Sequence, residues 1–256
     1  MDKTVAKAFA LITVLANSDK PRGVTDLAKA CGWSKSNAFR ILSTLVELGI
    51  VERAEAGARY ALGLRLWELG SKVVDRLDVR QLALPYMRDL AKSTDETLLL
   101  AVLDFENIIY LEQIESSQPV RAGTRIGGTA PTHATANGKA LLAFQRPDVV
   151  DRLCCAGLTR FTAKTVTSKS ALEGVIAEVR KRGFALVHDE WQEGVAGVAA
   201  PVFNGDGDVI AALGVSGPSH RLNVSKAMEL GPPVRNAAAK ISKQLGYAGS
   251  THGTGH

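Results

Sequence analysis

Ser34, Lys35, Ser36, Asn37 and Arg40 crowd five hydrogen-bonding side chains into seven residues, and no acidic residue occurs between Asp26 and Glu47. Residues of these types break no covalent bond by themselves; their chemistry is recognition. An Asn amide pairs with the N6/N7 edge of adenine, Arg or Lys with the O6/N7 edge of guanine, and hydroxyls at a helix start hold phosphate oxygens. The expected roles are base reading for Asn37, Arg40 and Lys35, and phosphate positioning for Thr25, Ser34 and Ser36. Arg59, further on, suits a phosphate beside the minor groove. Each has a plain alternative: Ser34 as a helix cap, Asn37 as a solvated side chain, Arg59 as a surface charge.

The elements that must position these side chains follow from the spacing. Thr25 is a plausible N-cap for a helix over 26–31 with Leu27 and Ala28 inward, and Gly32 ends it. Ser34 caps the next helix, whose inward stripe is Ala38, Ile41, Leu42, Leu45, Val46 and Leu48. After Gly49, two β-type runs at 50–53 and 59–62 flank the turn-forming EAGA. Helix, turn, helix and hairpin is a winged helix-turn-helix, which inserts the start of its second helix into the major groove. A first helix over 3–17 is set by Val5, Ala8, Phe9, Ile12 and Leu15.

Charge agrees in its distribution more than its size. The chain of 256 residues carries +5 overall, and residues 1–62 hold nine Lys/Arg against six Asp/Glu, a balance that suits a phosphate-facing surface. With 46% hydrophobic and 22% charged residues the composition is that of a soluble globular protein. No apolar run is long enough to span a bilayer, and the first segment is an amphipathic helix rather than a leader, so no membrane partner is expected. Cys31, Cys154 and Cys155 form no CxxC pair; the expectation is a reducing cytoplasm and no sulfur-bound metal.

The stretch KAFALITVLANSDKPRGVTDLAKACGWSKSNAFRILSTLVELGIVERAEAGARYALGLRLWELG resembles the N-terminal half of IclR-type transcriptional regulators. Three later segments extend the resemblance to about residues 3–247: GGTAPTHATANGKALLA, GFALVHDEWQEGVAGVAAPVF and DVIAALGVSGPSHR. From the residues themselves, the second half reads as an α+β domain. Strands are expected at 97–104, 108–114, 184–188, 195–203 and 209–216, with helices at 135–144, 169–182 and 224–245. The last helix has a late start or bend at Pro232 and Pro233. The expected organisation is 1–63 for the winged helix-turn-helix domain, 64–78 for a linker helix, 79–248 for an effector-binding domain and 249–256 for a disordered tail.

The resemblance implies that the second domain is GAF-like and senses a small organic acid between its sheet and the HATANGKALL helix. It implies effector contacts at Ala136, Asn137, Gly197, Gly214 and Ser216, and a linker that accompanies assembly into a homodimer or dimer of dimers on double-stranded operator DNA. His133 and the amides at the start of the helix add polar contacts, although Thr135 also reads as a cap and His133 as a structural loop residue. Some relatives have an acidic residue and a cysteine where this chain has Val187 and Gly197. That lining favours an aromatic acid, or a related amide or hydrazide, over a compound of glyoxylate size.

Enzyme chemistry finds no complete constellation. ATANGKA lacks the first glycine of a phosphate loop, where His133 stands, and has Ala140 in place of the magnesium-binding hydroxyl. NGDGDV has Val209 and Val215 where a calcium loop needs Gly and Glu. His188, Asp189 and Glu190, as neighbours in an extended strand, are expected on opposite faces. No catalytic residue, cofactor or metal is therefore expected, and the expected function is a ligand-responsive regulator of catabolic genes. The alternatives are a hydrolase with a DNA-binding regulatory domain and a ligand-independent architectural DNA-binding protein.

Overall fold

The computed structural model describes residues 3–54, 59–74, 78–121 and 123–249. It divides into two compact units, 1–76 and 77–256. The EAGA turn at 55–58 and almost all of the expected tail lie outside the described residues.

The first unit runs α1 (Lys3–Ala16), β1 (Arg22–Gly23), α2 (Val24–Cys31), α3 (Lys35–Glu47), β2 (Val51–Arg53), β3 (Arg59–Leu62) and α4 (Leu64–Val74). Leu11, Leu15, Leu27, Ala38, Leu42, Leu45 and Tyr60 form its core, so three helices and the small sheet share one apolar centre. Two details differ from the sequence reading. Arg22 and Gly23 pair with Tyr60 and Arg59, giving a three-stranded sheet in the order β1-β3-β2. That pairing delivers an extended Gly23 to α2 as its N-cap, so the helix starts at buried Val24, and Thr25 lies exposed in its first turn instead of capping it. Leu48 is 57% exposed, because the chain reverses at left-handed Gly49 and Ile50 N–H bonds back to Leu45 O at 2.9 Å over the last turn of α3.

The second unit begins with α5 (Asp78–Thr94), which continues through Pro85 and buries Val79, Ala83, Met87 and Leu90. Burying one such large apolar side chain is worth roughly 1.5–3 kcal/mol, enough to tolerate the amide that Pro85 lacks. There follow β4 (Thr97–Asp104), β5 (Asn107–Ile114), β6 (Thr129–Pro131), a 3₁₀ turn (Thr132–Ala134), α6 (Ala136–Leu142), α7 (Pro147–Ala156) and α8 (Lys169–Arg182). The unit closes with β7 (Ala185–His188), β8 (Val195–Phe203), β9 (Val209–Pro218) and α9 (Val224–Gln244). α9 starts at Val224, capped by Asn223, so Pro232 and Pro233 do not delay it.

All six strands pair antiparallel in the order β6-β5-β4-β9-β8-β7. Strand alternation splits the core into two layers. Leu98, Leu100, Val198, Ala200 and Val202 face the layer of α5 and α9. Leu99, Ala101 and Ala199 face α6 and α8. Cys154 packs partly on that second layer, whereas Cys155 is exposed.

Candidate functional site

In the first unit the residues expected to read nucleic acid lie on the outer surface of α2, α3 and the wing. Thr25, Ser34, Lys35, Ser36, Arg40 and Arg59 are exposed and Asn37 is half-buried. Ser34 Oγ accepts from Asn37 N–H at 3.4 Å and lies 3.2 Å from Ser36 Oγ. The cap thus turns the first turn of α3 outward, while Ala38, Ile41, Leu42 and Leu45 anchor its opposite side. Phe39, next to Arg40, is also exposed, a feature that the polar-residue search overlooked. The surface carries Lys35 and Arg40 with no carboxylate before Glu47, which suits an anionic duplex.

In the second unit a narrow cavity of about 40 Å³ opens where the start of α6 meets the sheet. It brings together Ala136, Asn137, Gly197 and Ser216 from the expected set. Gly197 is compact because a methyl group there would meet Ala136 Cβ at 3.5 Å and Val215 O at 3.3 Å. Thr135 does cap α6, its Oγ1 accepting from Gly138 N–H at 3.2 Å. Ser216 Oγ donates to Ala196 O at 3.3 Å.

His133 and Gly214 do not line the cavity. His133 donates from Nε2 to Thr159 O at 3.0 Å, with Phe161 5.8 Å away ring to ring. Gly214 lies under Asn137, whose Oδ1 would stand 2.5 Å from any added methyl group, while Asn137 Nδ2 donates to Ala212 O at 2.9 Å. The glycine therefore makes room for a buried amide rather than for a ligand.

Val187, expected in the lining, is among the other walls, and the sequence reading missed several more, including Leu99, Tyr110, Glu190, Trp191 and Val215. Burial pushes the Tyr110 phenol up to about 12, so it stays protonated and able to donate. Trp191 and Glu190 come from the loop after β7, which is tied down at several points. The chain leaves the strand at His188 and takes a positive φ of 58° at Asp189. The Asp189 carboxylate thereby meets Lys164 at 2.9 Å and His188 Nδ1 at 3.0 Å, contrary to the expectation that His188 and Asp189 diverge. The Lys164 hydrogen bond holds that carboxyl below the usual carboxylate range. Thr162 Oγ1 and Thr165 Oγ1 donate at 2.6 Å to the carbonyls of Asp189 and Glu190.

Glu190 then turns inward and accepts from the Lys139 ammonium at 2.5 Å. Lys139 is 1% exposed, and burial lowers its pKa although Glu190 opposes the shift. Among the described residues, no group of three or more His, Cys, Asp or Glu could hold a metal ion, and no helix is long and apolar enough to cross a membrane.

A winged helix-turn-helix unit with a basic, polar reading face, together with an α+β unit enclosing a small cavity, defines a DNA-binding regulator with an effector domain. Residues 4–55 match the IclR helix-turn-helix domain, and residues 71–243 match the C-terminal domain of the bacterial transcriptional regulator IclR. The chain belongs to the IclR family of bacterial transcriptional regulators. It is 36% identical over 245 residues to the HTH-type transcriptional regulator KdgR of Escherichia coli, covering 95% of this chain and 93% of that one. It is 35% identical to the glycerol operon regulatory protein of Streptomyces griseus, covering 95% and 96%. Its fold superposes with a TM-score of 0.81, at 29% identity and 95% and 99% coverage, on an IclR homolog from Microbacterium hydrocarbonoxydans complexed with 4-hydroxybenzoate.

Proposed function

We propose that the chain works in the cytoplasm as a homodimer or dimer of dimers that reads a pseudo-palindromic operator and is switched by a small organic acid, so controlling catabolic genes. Asn37, Arg40 and Lys35 read base edges, Thr25, Ser34 and Ser36 position phosphates, and Arg59 reaches a phosphate from the wing. The division of labour is 1–63 for DNA, 64–78 for the linker and 79–248 for the effector. The observation that carries this reading is the outward, acid-free N-terminal half of α3 with Lys35, Ser36 and Arg40 exposed on it. Assembly is supported by the apolar side chains on α4, where Leu64 is 82% and Trp67 74% exposed, a stripe hard to justify in a monomer.

For the effector we favour a single-ring aromatic acid or its amide over glyoxylate. Leu99, Val187, Trp191 and Val215 give the cavity apolar walls, and Asn137, Ser216 and the first amides of α6 offer partners for a ligand oxygen. A dry cavity that accepts benzene measures ~150 Å³, well above the 40 Å³ here. Entry of a ring therefore requires the walls to move apart, a change through which binding biases the conformation of the domain. The complex of the Microbacterium relative with 4-hydroxybenzoate supports the same chemistry.

The test is fluorescence anisotropy with a duplex from upstream of the chain's own gene. Arg40→Ala should lose roughly 1–3 kcal/mol of discrimination between that duplex and a scrambled one. Added 4-hydroxybenzoate should shift the parent's affinity at lower concentration than glyoxylate does. An Arg40→Ala protein with full affinity and specificity would remove the base-reading role, and a response to glyoxylate alone would remove the aromatic effector.

A further inference from the structure

Beside the narrow cavity, and sharing Tyr110, Gly123, Thr124 and Trp191 with it as walls, lies a wider and more open chamber of about 340 Å³. Its remaining lining is Arg125, Gly128 and Thr129. We propose that this outer chamber is an anion subsite in which Arg125 takes the effector's carboxylate, while the apolar part of the molecule enters the inner cavity. The proposal rests on the acid-sensor reading above and adds to it the orientation of the ligand and the residue that selects its charge.

Electrostatics separates the two chambers. Among the described residues, the only charged one lining the inner chamber is Glu190, already neutralised by Lys139. A carboxylate placed inside would lose its hydration and gain no cation. The only cation lining either chamber, among the described residues, is Arg125. Arg121 is held by Glu115 at 2.9 Å and lines neither chamber, whereas no described residue hydrogen-bonds to or forms an ion pair with the Arg125 guanidinium. Its five donors are free to form the bidentate pair that a planar carboxylate accepts.

Arg125 is also held in place. Residues 125–128 form a tight turn closed by Gly128 N–H to Arg125 O at 2.9 Å, with Gly127 at φ 75°. The turn is clamped to β5 from both sides: Gly127 N–H donates to Tyr110 O at 2.8 Å and Tyr110 N–H to Gly128 O at 3.0 Å. The same Tyr110 is only 4% exposed, and its hydroxyl has no hydrogen-bond partner among the described residues. Among the described residues no buried side-chain oxygen or nitrogen is left unpaired, so that hydroxyl opens on the cavity its ring lines. Phenol and guanidinium thus come from one backbone clamp, Tyr110 on the wall that the two chambers share and Arg125 in the outer one.

Calorimetry on the full chain with two matched pairs, 4-hydroxybenzoate with 4-hydroxybenzamide and pyruvate with pyruvamide, tests the assignment. In the parent the better-fitting pair should favour its acid. Arg125→Gln should weaken that acid at least about ten-fold, which is ~1.4 kcal/mol, and leave the amide nearly unchanged. Arg125→Lys should restore part of the preference, and Arg125→Glu should weaken the acid further. A parent that binds an acid no better than Arg125→Gln does overturns the subsite and leaves the sensor reading intact. A parent that binds neither acid overturns both. Arg125 is exposed, so none of these variants removes core packing.

Discussion

Lys139 and Glu190 form the most demanding contact in the second unit. An ammonium that is 1% exposed is tolerable only while a carboxylate faces it at hydrogen-bond distance. Removing one partner leaves an uncompensated charge in the core. Glu190→Gln should therefore cost about 3–5 kcal/mol, whereas the double variant Lys139→Met, Glu190→Leu should recover most of that loss. Urea unfolding of the three proteins measures it, and a double variant no more stable than Glu190→Gln would contradict the account. Nothing local in the sequence marks this pair, because its members are 51 positions apart and GKA reads first as an incomplete phosphate loop. The same limit explains Gly214, whose purpose appears only when Asn137, 77 positions earlier in the chain, is seen lying on it. Ala136, Asn137, Gly197 and Ser216 were legible through resemblance to a family, while nothing local in the sequence marks Tyr110, Trp191 or Arg125, which only the fold brings to the walls of the two chambers.

Among the elements, α6 and the 3₁₀ turn before it decide the shape of the cavity. They approach so closely that a methyl group on Gly138 would collide with the Thr132 carbonyl. The helix cannot retreat, since Asn137 is tied to Ala212 O and Arg180 Nε donates to Ala143 O at its other end. Gly138→Ala should therefore destabilise the protein by about 1–3 kcal/mol through overpacking, with backbone rather than a flexible side chain as the obstacle. Thermal unfolding read by circular dichroism shows the cost, and a variant as stable as the parent would mean that α6 yields freely. Long elements were legible because several turns or alternations repeat one pattern: α3, α8, β4 and β8 lie within a residue or two of their expected places. β1 and β6 have two and three residues, too few to display a period of two. They exist because β3 and β5 offer an edge beside them. The start of α2 moved for that reason, since a strand pairing and not a side-chain cap fixes where the helix begins.

For the whole molecule, the small net charge of +5 conceals how unevenly charge serves binding. A duplex responds to the cations that reach its phosphates, and each such contact releases counterions. If each of two protomers places Arg59 on a phosphate, the wings neutralise about two phosphates and contribute about −2 to the slope of the logarithm of affinity against the logarithm of salt. The two kinds of contact can be told apart by that slope. Arg59→Ala removes one phosphate contact per protomer, so the slope should shrink by about 2 and all duplexes should weaken together. Arg40→Ala should chiefly erase the preference for the operator over a scrambled duplex, because what it loses is a base edge. Anisotropy titrations at several salt concentrations between about 50 and 200 mM separate these outcomes. A slope that Arg59→Ala leaves unchanged would take the wing off the phosphate backbone, and a preference lost in Arg59→Ala but kept in Arg40→Ala would exchange the roles of the two arginines.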